Sequence, residues 1–335
     1  MAMKGKARWG VLGTARITRT RMIPAVQHST YGELLAIGSR DADKGRRLAR
    51  ELGIPKSFGS YEELLADPEI DIVYNALPNH LHVPWSIRAL RAGKHVLCEK
   101  PLALAAEEVR QLIRARDEAG RKAAEAFMVD THPQWLKARD LTRTAEFGRL
   151  RAITGFFSYD NPDPTNNRNI LAHGGGAIYD VGSYVIHGSR YIWGEEPKRV
   201  VSVLERDPVM QTDRLSALLM EFPSGFASFG CATQLVRYQR MQFLGTKGRV
   251  EIEIPFNAPD DAACKVFFDA GDPSGAAITT FPMPICDQYA IQVDVFSRAV
   301  LEGSPVAVPL EDSLENTRII EAVFESARTE AWVAL

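Results

Sequence analysis

The sequence predicts an α/β protein in two parts, a doubly wound parallel sheet followed by an α+β domain with a large, mainly antiparallel sheet. Three observations predict it. Over the first 128 residues, short β-rich runs alternate with helix-like stretches, the pattern that parallel strands joined by helical crossovers require. The run Ile70–Leu77 is apolar almost throughout, as in a strand covered on both faces. From about Arg149 strand follows strand with turn residues between, which suits antiparallel pairing. A chain of 335 residues has room for two domains at roughly 150 residues each, and the texture places the division at 1–128 and 129–335.

Element by element, the first part offers strands at Ala7–Leu12, Leu34–Ser39, Ile70–Leu77, His95–Glu99 and Ala123–Met128. Helices fall at Lys44–Leu52, Val83–Ala92 and Leu104–Ala119, with Gly53, Gly93 and Gly120 just past them, where a left-handed cap residue is wanted. The second part offers strands at Leu150–Tyr159, Arg199–Glu205, Arg214–Phe222, Phe226–Cys231, Tyr238–Leu244 and Gly248–Ile254. Pro223-Ser224-Gly225 reads as a hairpin turn. One strong helix spans Ala177–Trp193 and another Leu310–Thr329.

Composition narrows the class. Lys and Arg total 40 against 42 for Asp and Glu, a net charge of −2, which gives no overall field for nucleic acid or an anionic membrane. No stretch approaches the ~18 consecutive apolar residues of a membrane span. The opening MAMKGKARWGVLG lacks an apolar targeting core, so no secretory signal is expected. Cys98, Cys231, Cys264 and Cys286 are scattered without zinc spacing, which favours free thiols in a reducing cytoplasm.

A nucleotide site is expected directly after the first strand. Gly13-Thr14-Ala15-Arg16-Ile17-Thr18 keeps only the first glycine of G-x-G-x-x-G. Its context is nevertheless that of a pyrophosphate site, between a strand and a helix start whose free N–H groups favour an anion. An ordinary tight turn is the alternative. The second strand ends in Gly38-Ser39-Arg40-Asp41. Ser39 can donate to a 2′-phosphate, and Arg40 can pair with that phosphate and stack on adenine, which favours NADP, with NAD as the alternative. Asp41 suits the cap of the next helix. Leu77-Pro78-Asn79-His80-Leu81-His82 and Glu99-Lys100-Pro101 leave the ends of the next strands, where open α/β sheets bind ligands. A plain turn is the alternative for each.

The Ala177–Trp193 helix carries Asp180, Tyr184, His187 and Tyr191 at i, i+4, i+7 and i+11, one face of an unbroken α-helix. Such a stripe needs hydrogen-bond partners if buried, either in a catalytic site or in a satisfied structural network. No third ligand accompanies Asp180 and His187, so no metal site is expected. Ahead of the helix, Asn161, Asp163, Asn166, Asn167 and Arg168 form a polar loop that reads either as a reader of hydroxyls or as a solvated surface loop.

Taken together, Gly10–Ile17, Asn79-His80-Leu81-His82, Glu99-Lys100-Pro101, the Gly174–Tyr184 segment, Gly245-Thr246-Lys247-Gly248 and Tyr289-x-x-Gln292-x-x-x-Phe296 resemble the glucose–fructose oxidoreductase / inositol dehydrogenase / MocA family over the whole chain. The resemblance implies a dinucleotide-binding Rossmann domain over 1–128 and a substrate-binding domain over 129–335, whose open-faced sheet serves a homodimer or homotetramer. It implies NAD(P)-linked hydride transfer between the nicotinamide and a sugar or polyol, with Lys100 and the Asp180 helix catalytic. Tyr184, where many relatives carry histidine, is similar to the xylose dehydrogenase and dimeric dihydrodiol dehydrogenase subgroup. Asp130 stands shortly after the last strand of the first part, where relatives often carry an arginine.

The roles follow from charge. Tyrosine ordinarily titrates near pH 10, and a lysine ammonium with a cationic nicotinamide ring favours its phenolate. Tyr184 is then the expected acid/base, Lys100 orients the hydroxyl, and Asp180 holds Lys100 or a sugar hydroxyl. The direct proton transfer stays open between Lys100 and Tyr184. His187, Asn161 and Arg168 are expected at the substrate. Gly13, Thr14, Ala15, Arg16, Ile17, Ser39, Arg40, Leu77, Asn79, His82, Glu99 and Lys100 are expected at the cofactor. The leading function is an NADP-dependent aldose 1-dehydrogenase of the xylose or glucose kind. Alternatives are a ketosugar reductase, a trans-dihydrodiol dehydrogenase, or an NADP-binding sensor without catalysis.

Overall fold

The computed structural model describes residues 5–272 and 274–335. Met1–Lys4, the start of the segment read above for a secretory signal, lies outside the described residues. In chain order β1 (Ala7–Leu12), α1 (Ile23–Gln27), β2 (Gly32–Gly38), α2 (Ala42–Leu52), β3 (Lys56–Phe58) and α3 (Tyr61–Ala66) come first. They are followed by β4 (Ile72–Asn75), α4 (His82–Arg91), β5 (His95–Cys98), α5 (Ala106–Ala119) and β6 (Ala123–Glu125). Next come α6 (Pro133–Leu141), β7 (Leu150–Asp160), α7 (Ser183–Trp193), β8 (Arg199–Arg206), β9 (Asp213–Phe222) and β10 (Gly225–Ala232). The chain closes with β11 (Gln234–Gly245), β12 (Arg249–Ile252), β13 (Lys265–Asp269), β14 (Thr279–Pro282), α8 (Gln288–Glu302), α9 (Leu310–Thr329) and β15 (Val333–Ala334).

Two compact units result. One takes the chain to Met128 together with Asp287–Leu314, and the other takes Val129–Cys286 with Glu315–Leu335. In the first unit six parallel strands lie in the order β3-β2-β1-β4-β5-β6. The connections reverse direction between β1 and β4, the switch point of a doubly wound sheet. Leu12 there pairs with Asn75, so the chain segments that follow both strands emerge side by side. The sequence missed β3 and α3 because Lys56-Ser57-Phe58 is a half-buried edge strand with no apolar run to announce it.

The segment 287–314, placed by sequence with the second part, packs instead on the first sheet. Val293, Phe296 and Val300 of α8 share a buried cluster with Trp9, Ile23 and Val26. The Trp9 indole lies edge-on to Phe296, centroids 5.9 Å apart, and donates to Ser297 Oγ at 2.9 Å. Helix ends follow their local chemistry. The Asp41 carboxylate caps α2 by accepting from Lys44 N–H, and Gly53 and Gly120 close α2 and α5 in the left-handed region.

The second unit is built on nine strands in the order β14-β13-β12-β11-β7-β10-β9-β8-β15. All pairs are antiparallel except β7 with β10. The β9–β10 hairpin turns on Pro223-Ser224, with Phe222 opposite Gly225. Helix α7 packs against β7, and α6 against β12 and β13. The sequence read 177–193 as one α-helix, but Ile178–Gly182 is a π-turn and the α-helical register starts only at Ser183. The change of register therefore falls between Asp180 and Tyr184. Among the described residues no helix is long and apolar enough to cross a membrane, and no cluster of three His, Cys, Asp or Glu side chains suits a metal ion.

Candidate active site

In the first unit, the segments after β1, β2, β4 and β5 carry the candidate residues. Gly13 has φ +86° and its N–H donates to Gly38 O at 2.9 Å, which ties the turn after β1 to the end of β2. A Cβ on Gly13 would lie 3.1 Å from Leu77 Cδ2, so a side chain here would both strain the backbone and fill the space beside the turn. Thr14, Ala15, Arg16 and Ile17 follow and lead into a helical run, bonded from Arg19 N–H to Ala15 O at 3.1 Å. The first N–H groups of such a run have no acceptor within the helix. They are suited to a pyrophosphate, so the Gly13 turn fits the dinucleotide.

Ser39 is buried, and its Oγ accepts from Asp41 N–H at 3.2 Å. Arg40 is exposed, and its side chain makes a hydrogen bond to Tyr61. Burial raises the Tyr61 pKa above its ordinary value, with the Arg40 cation pulling the other way. A fixed serine hydroxyl beside an exposed guanidinium fits a 2′-phosphate.

His82 is the clearest departure from the sequence reading. The ring is buried, with Nε2 2.7 Å from Leu77 O and Nδ1 2.8 Å from Pro101 O. Both nitrogens are turned to backbone carbonyls rather than to open space, and the ring clamps the segment after β4 to the one after β5. Burial pushes its pKa down to about 4, against the two carbonyls, which favour the protonated ring. Asn75 braces the same corner, its amide donating to His82 O at 2.9 Å and Ser86 Oγ at 3.1 Å. Asn79 opens the short turn Asn79–Leu81 just ahead of α4. Glu99 accepts from the Tyr74 hydroxyl and from Lys100 N–H at 3.2 Å, so its carboxylate serves this strand end from inside. The Lys100–Pro101 peptide is cis.

In the second unit, Asp180 is buried at the π-turn and accepts from the Tyr159 hydroxyl. Arg168 Nε lies 3.1 Å from the same carboxylate oxygen. Burial and the Asp180 charge raise the Tyr159 pKa far above its ordinary range, so Tyr159 stays a donor. The polar loop is partly its own scaffold. Asp163 Oδ1 accepts from Thr165 N–H, Asn166 Oδ1 from Arg168 N–H, and the Asn169 amide donates to Asn161 O and Asp163 O. Asn161 thus holds the loop through its backbone, while Arg168 reaches Asp180.

The triple glycine lets the loop meet the helix start. A Cβ on Gly175 would lie 2.6 Å from Arg168 O, and one on Gly176, at φ +122°, would overlap Asp213 Oδ1. Asp213 needs that space, since its Oδ2 accepts from Ile178 N–H at 2.7 Å. Tyr184 then sits one residue into α7, nearly buried between Phe157 and Phe256, centroids 5.9 and 5.4 Å away. His187, one turn on, directs Nε2 at Asp130 Oδ1, 2.6 Å away. The stripe read as one face therefore serves two partners, Asp180 joining Tyr159 and Arg168, and His187 joining Asp130. Sequence reasoning did not single out Tyr159, Phe157 or Phe256. It noted Asp130 only as a charged residue in an unexpected place.

Known proteins resemble this chain along most of its length. Residues 7–127 match the description "Oxidoreductase family, NAD-binding Rossmann fold", and residues 135–251 match "GFO/IDH/MocA C-terminal domain". The chain is 43% identical to an uncharacterized oxidoreductase of Rhizobium meliloti, over 97% of this chain and 98% of that one. It is 38% identical to D-xylose 1-dehydrogenase (NADP(+)) 2 of Haloferax volcanii, over 98% and 99%. Among solved structures, KijD10, a 3-ketoreductase of Actinomadura kijaniata in complex with NADP and TDP-benzene, superposes with TM-score 0.90 at 29% identity, covering 96% of this chain and 98% of that one. Variants of that ketoreductase have been solved with a lysine replaced by alanine or glutamate and with a tyrosine replaced by phenylalanine.

Proposed function

The chain belongs to the Gfo/Idh/MocA oxidoreductase family, and from that premise we propose that it oxidises the anomeric hydroxyl of an aldopyranose with NADP. That it is an NAD(P)-dependent oxidoreductase acting on CH–OH groups follows from the family and its named dehydrogenases and reductases. The observation that carries the finer reading is the placement of Tyr184. It is an O–H side chain held in an aromatic box on α7, just after a carboxylate already engaged by Tyr159 and Arg168.

In this reading Gly13, Thr14, Ala15, Arg16 and Ile17 hold the pyrophosphate through backbone N–H groups, and Ser39 and Arg40 hold the 2′-phosphate. Leu77, Asn79 and Glu99, at the strand ends, would line the nicotinamide half of the cofactor. When bound, NADP supplies the acceptor for the hydride that leaves the carbon. Lys100 polarises and orients the hydroxyl, and Tyr184 takes its proton. Asp180, neutralised in part by Arg168, holds a neighbouring hydroxyl, and His187 reads another. The similarity to a D-xylose 1-dehydrogenase supports an aldose substrate.

A ketosugar reductase is the second reading, favoured by the likeness to the NADP-bound 3-ketoreductase. The same residues then run in reverse, with Tyr184 protonating the carbonyl oxygen. Val203, Leu215, Phe226 and Tyr238 lie exposed on the nine-stranded sheet, which supports a homodimer or homotetramer through that face. Four free cysteines support a cytoplasmic location. A screen of aldoses with NADP, and of ketosugars and dihydrodiols with NADP(H), tests the proposal. Turnover confined to ketosugars would replace the first reading by the second, and tight NADP binding without any turnover would point to a sensor.

A further inference from the structure

The strand register of the second unit sets one amide side chain beside the aromatic box around Tyr184. In the β7–β11 pair Phe157 lies opposite Gln239 and Gly155 opposite Met241, and cross-strand partners share a face of the sheet. That face lies under α7. The Phe157 ring meets Tyr184 edge-on at 5.9 Å, and a Cβ on Gly155 would lie 3.2 Å from Val185 Cγ1.

Phe256 closes the box from a loop. Residues 254–257 follow β12 outside helix and strand, so side chains place a backbone that no ladder places. Gln239 Oε1 accepts from Phe256 N–H at 2.9 Å and from Asn257 N–H at 3.0 Å. From α6, Gln134 Nε2 donates to Ile254 O at 2.8 Å and Trp135 Nε1 to Pro255 O at 2.7 Å. Trp135 is itself seated on α7, where a Cβ on Gly188 would lie 2.5 Å from its Cη2. The loop thus takes its place from the helix that carries Tyr184. Phe256 is fully buried, its ring stacked on Phe157 with centroids 4.8 Å apart and tilted against Tyr184 at 5.4 Å.

We propose that Gln239 is a positioning residue for Tyr184, holding the Phe256 loop so that the tyrosine ring keeps one orientation. The inference deepens the reading of Tyr184 as the acid/base and rests on it. Gln239 bonds the Phe256 peptide N–H itself, whereas Gln134 and Trp135 hold the two carbonyls before it. A buried N–H that loses its acceptor bears the full cost of its desolvation, so the loop shifts towards another partner and carries the Phe256 ring with it. One wall of the box around Tyr184 then moves. A displacement of about 1 Å at a reacting group costs of the order of 10²-fold in rate, so an amide that acts only through a neighbouring ring governs turnover.

The test is a double-mutant cycle on kcat, run with the aldose that turns over fastest with NADP, together with NMR of ring-labelled tyrosine in the NADP-bound protein without substrate. Gln239→Met keeps most of the volume and removes the acceptor; it is expected to lower kcat at least about tenfold and to leave NADP affinity within about twofold. In a Tyr184→Phe background the same change is expected to alter the residual kcat by less than about twofold, because its effect passes through the Tyr184 hydroxyl. Gln239→Glu, which still accepts from both N–H groups, is expected to recover most of the lost turnover. The Tyr184 ring signal, assigned by its absence in Tyr184→Phe, is expected to show faster ring flipping in Gln239→Met than in the wild type. If Gln239→Met does not fold, Phe256→Leu, which leaves the backbone bonds in place, carries the same cycle and the same ring measurement. A kcat within about threefold of wild type, an undiminished loss in the Tyr184→Phe background, or unchanged ring flipping would overturn the proposal. Absence of turnover with every aldose, or full activity in Tyr184→Phe, strikes the reading of Tyr184 instead, and the ring measurement still decides whether Gln239 holds it.

Discussion

Arg168 Nε lies 3.1 Å from Asp180 Oδ2, and that contact fastens a loop held by its own side-chain turns to the π-turn that leads into Tyr184. Half of the Arg168 side chain is exposed, so the pair adds little to stability, of the order of 0–1 kcal/mol. Its use is to hold the loop and orient the carboxylate. Arg168→Ala is therefore expected to leave the melting temperature nearly unchanged and to raise the substrate KM about tenfold, with kcat within a few-fold. Steady-state kinetics with a thermal melt check both halves, and an unchanged KM would remove Arg168 from the site.

Cofactor preference hangs on the end of β2. Arg40 is exposed and Ser39 is fixed by Asp41, a pair that suits a phosphate monoester rather than a ribose diol. Arg40→Ala is expected to weaken NADP binding by about tenfold or more while leaving NAD binding within about twofold, since the charge-assisted 2′-phosphate contact is the one that NAD does not make. Titration of both dinucleotides into wild type and variant decides it. Equal losses for the two would mean that Arg40 does not read the phosphate.

The close approach at Gly176 makes a stability prediction. A methyl group there overlaps Asp213 Oδ1, and Asp213 caps the helix start through Ile178 N–H. Gly176 also has φ +122°, a region that L side chains rarely adopt. Gly176→Ala is expected to cost about 3 kcal/mol or more in urea unfolding, from backbone strain and a lost cap together. A loss below about 1 kcal/mol would mean that the helix start relaxes without cost.

Acid should unfold the protein well before most carboxylates titrate. Burial pushes His82, His95 and His132 down to about 4, against an ordinary value of 6.5, with nearby Arg121 and Lys122 adding to the shift at His95. Their folded form is neutral, so their contribution is complete above pH 6.5 and is lost as pH falls from there towards 4. Asp213, which burial raises to about 6, opposes them by one proton over part of that window. The net excess of protons on the unfolded chain near pH 5 is about two, a slope of about 2 kcal/mol per pH unit. Urea unfolding from neutral pH down to about pH 5 measures the slope, and His95→Gln should flatten it. A flat profile would contradict neutral, buried imidazoles.

The alternation of strand and helix made the first sheet legible, because buried parallel strands write themselves as apolar runs and their helices end in Gly53 and Gly120. Helix α9 and the β9–β10 hairpin were legible for similarly local reasons. The placement of α8 was not, since Val293, Phe296 and Val300 make an apolar stripe that does not say which sheet it covers. The π-turn at Ile178–Gly182 was also hidden, and so was its link to Asp213, which arrives from a distant strand to accept from Ile178 N–H. At the candidate site, chemistry-bearing residues were readable one at a time while their pairings were not. His82 was expected at the cofactor and turns both nitrogens to backbone carbonyls. Asp130 looked like an anomaly and proves to be the partner of His187.

The central claim is that Tyr184 moves the substrate proton in an NADP-linked oxidation. The most direct measurement is kcat of Tyr184→Phe for aldose-dependent NADP reduction, with NADP affinity measured in parallel. Loss of the hydroxyl is expected to lower kcat by about 10²–10⁴-fold and to leave NADP affinity unchanged, because the ring still fills the space between Phe157 and Phe256. Retention of more than about a tenth of the wild-type kcat would contradict the account.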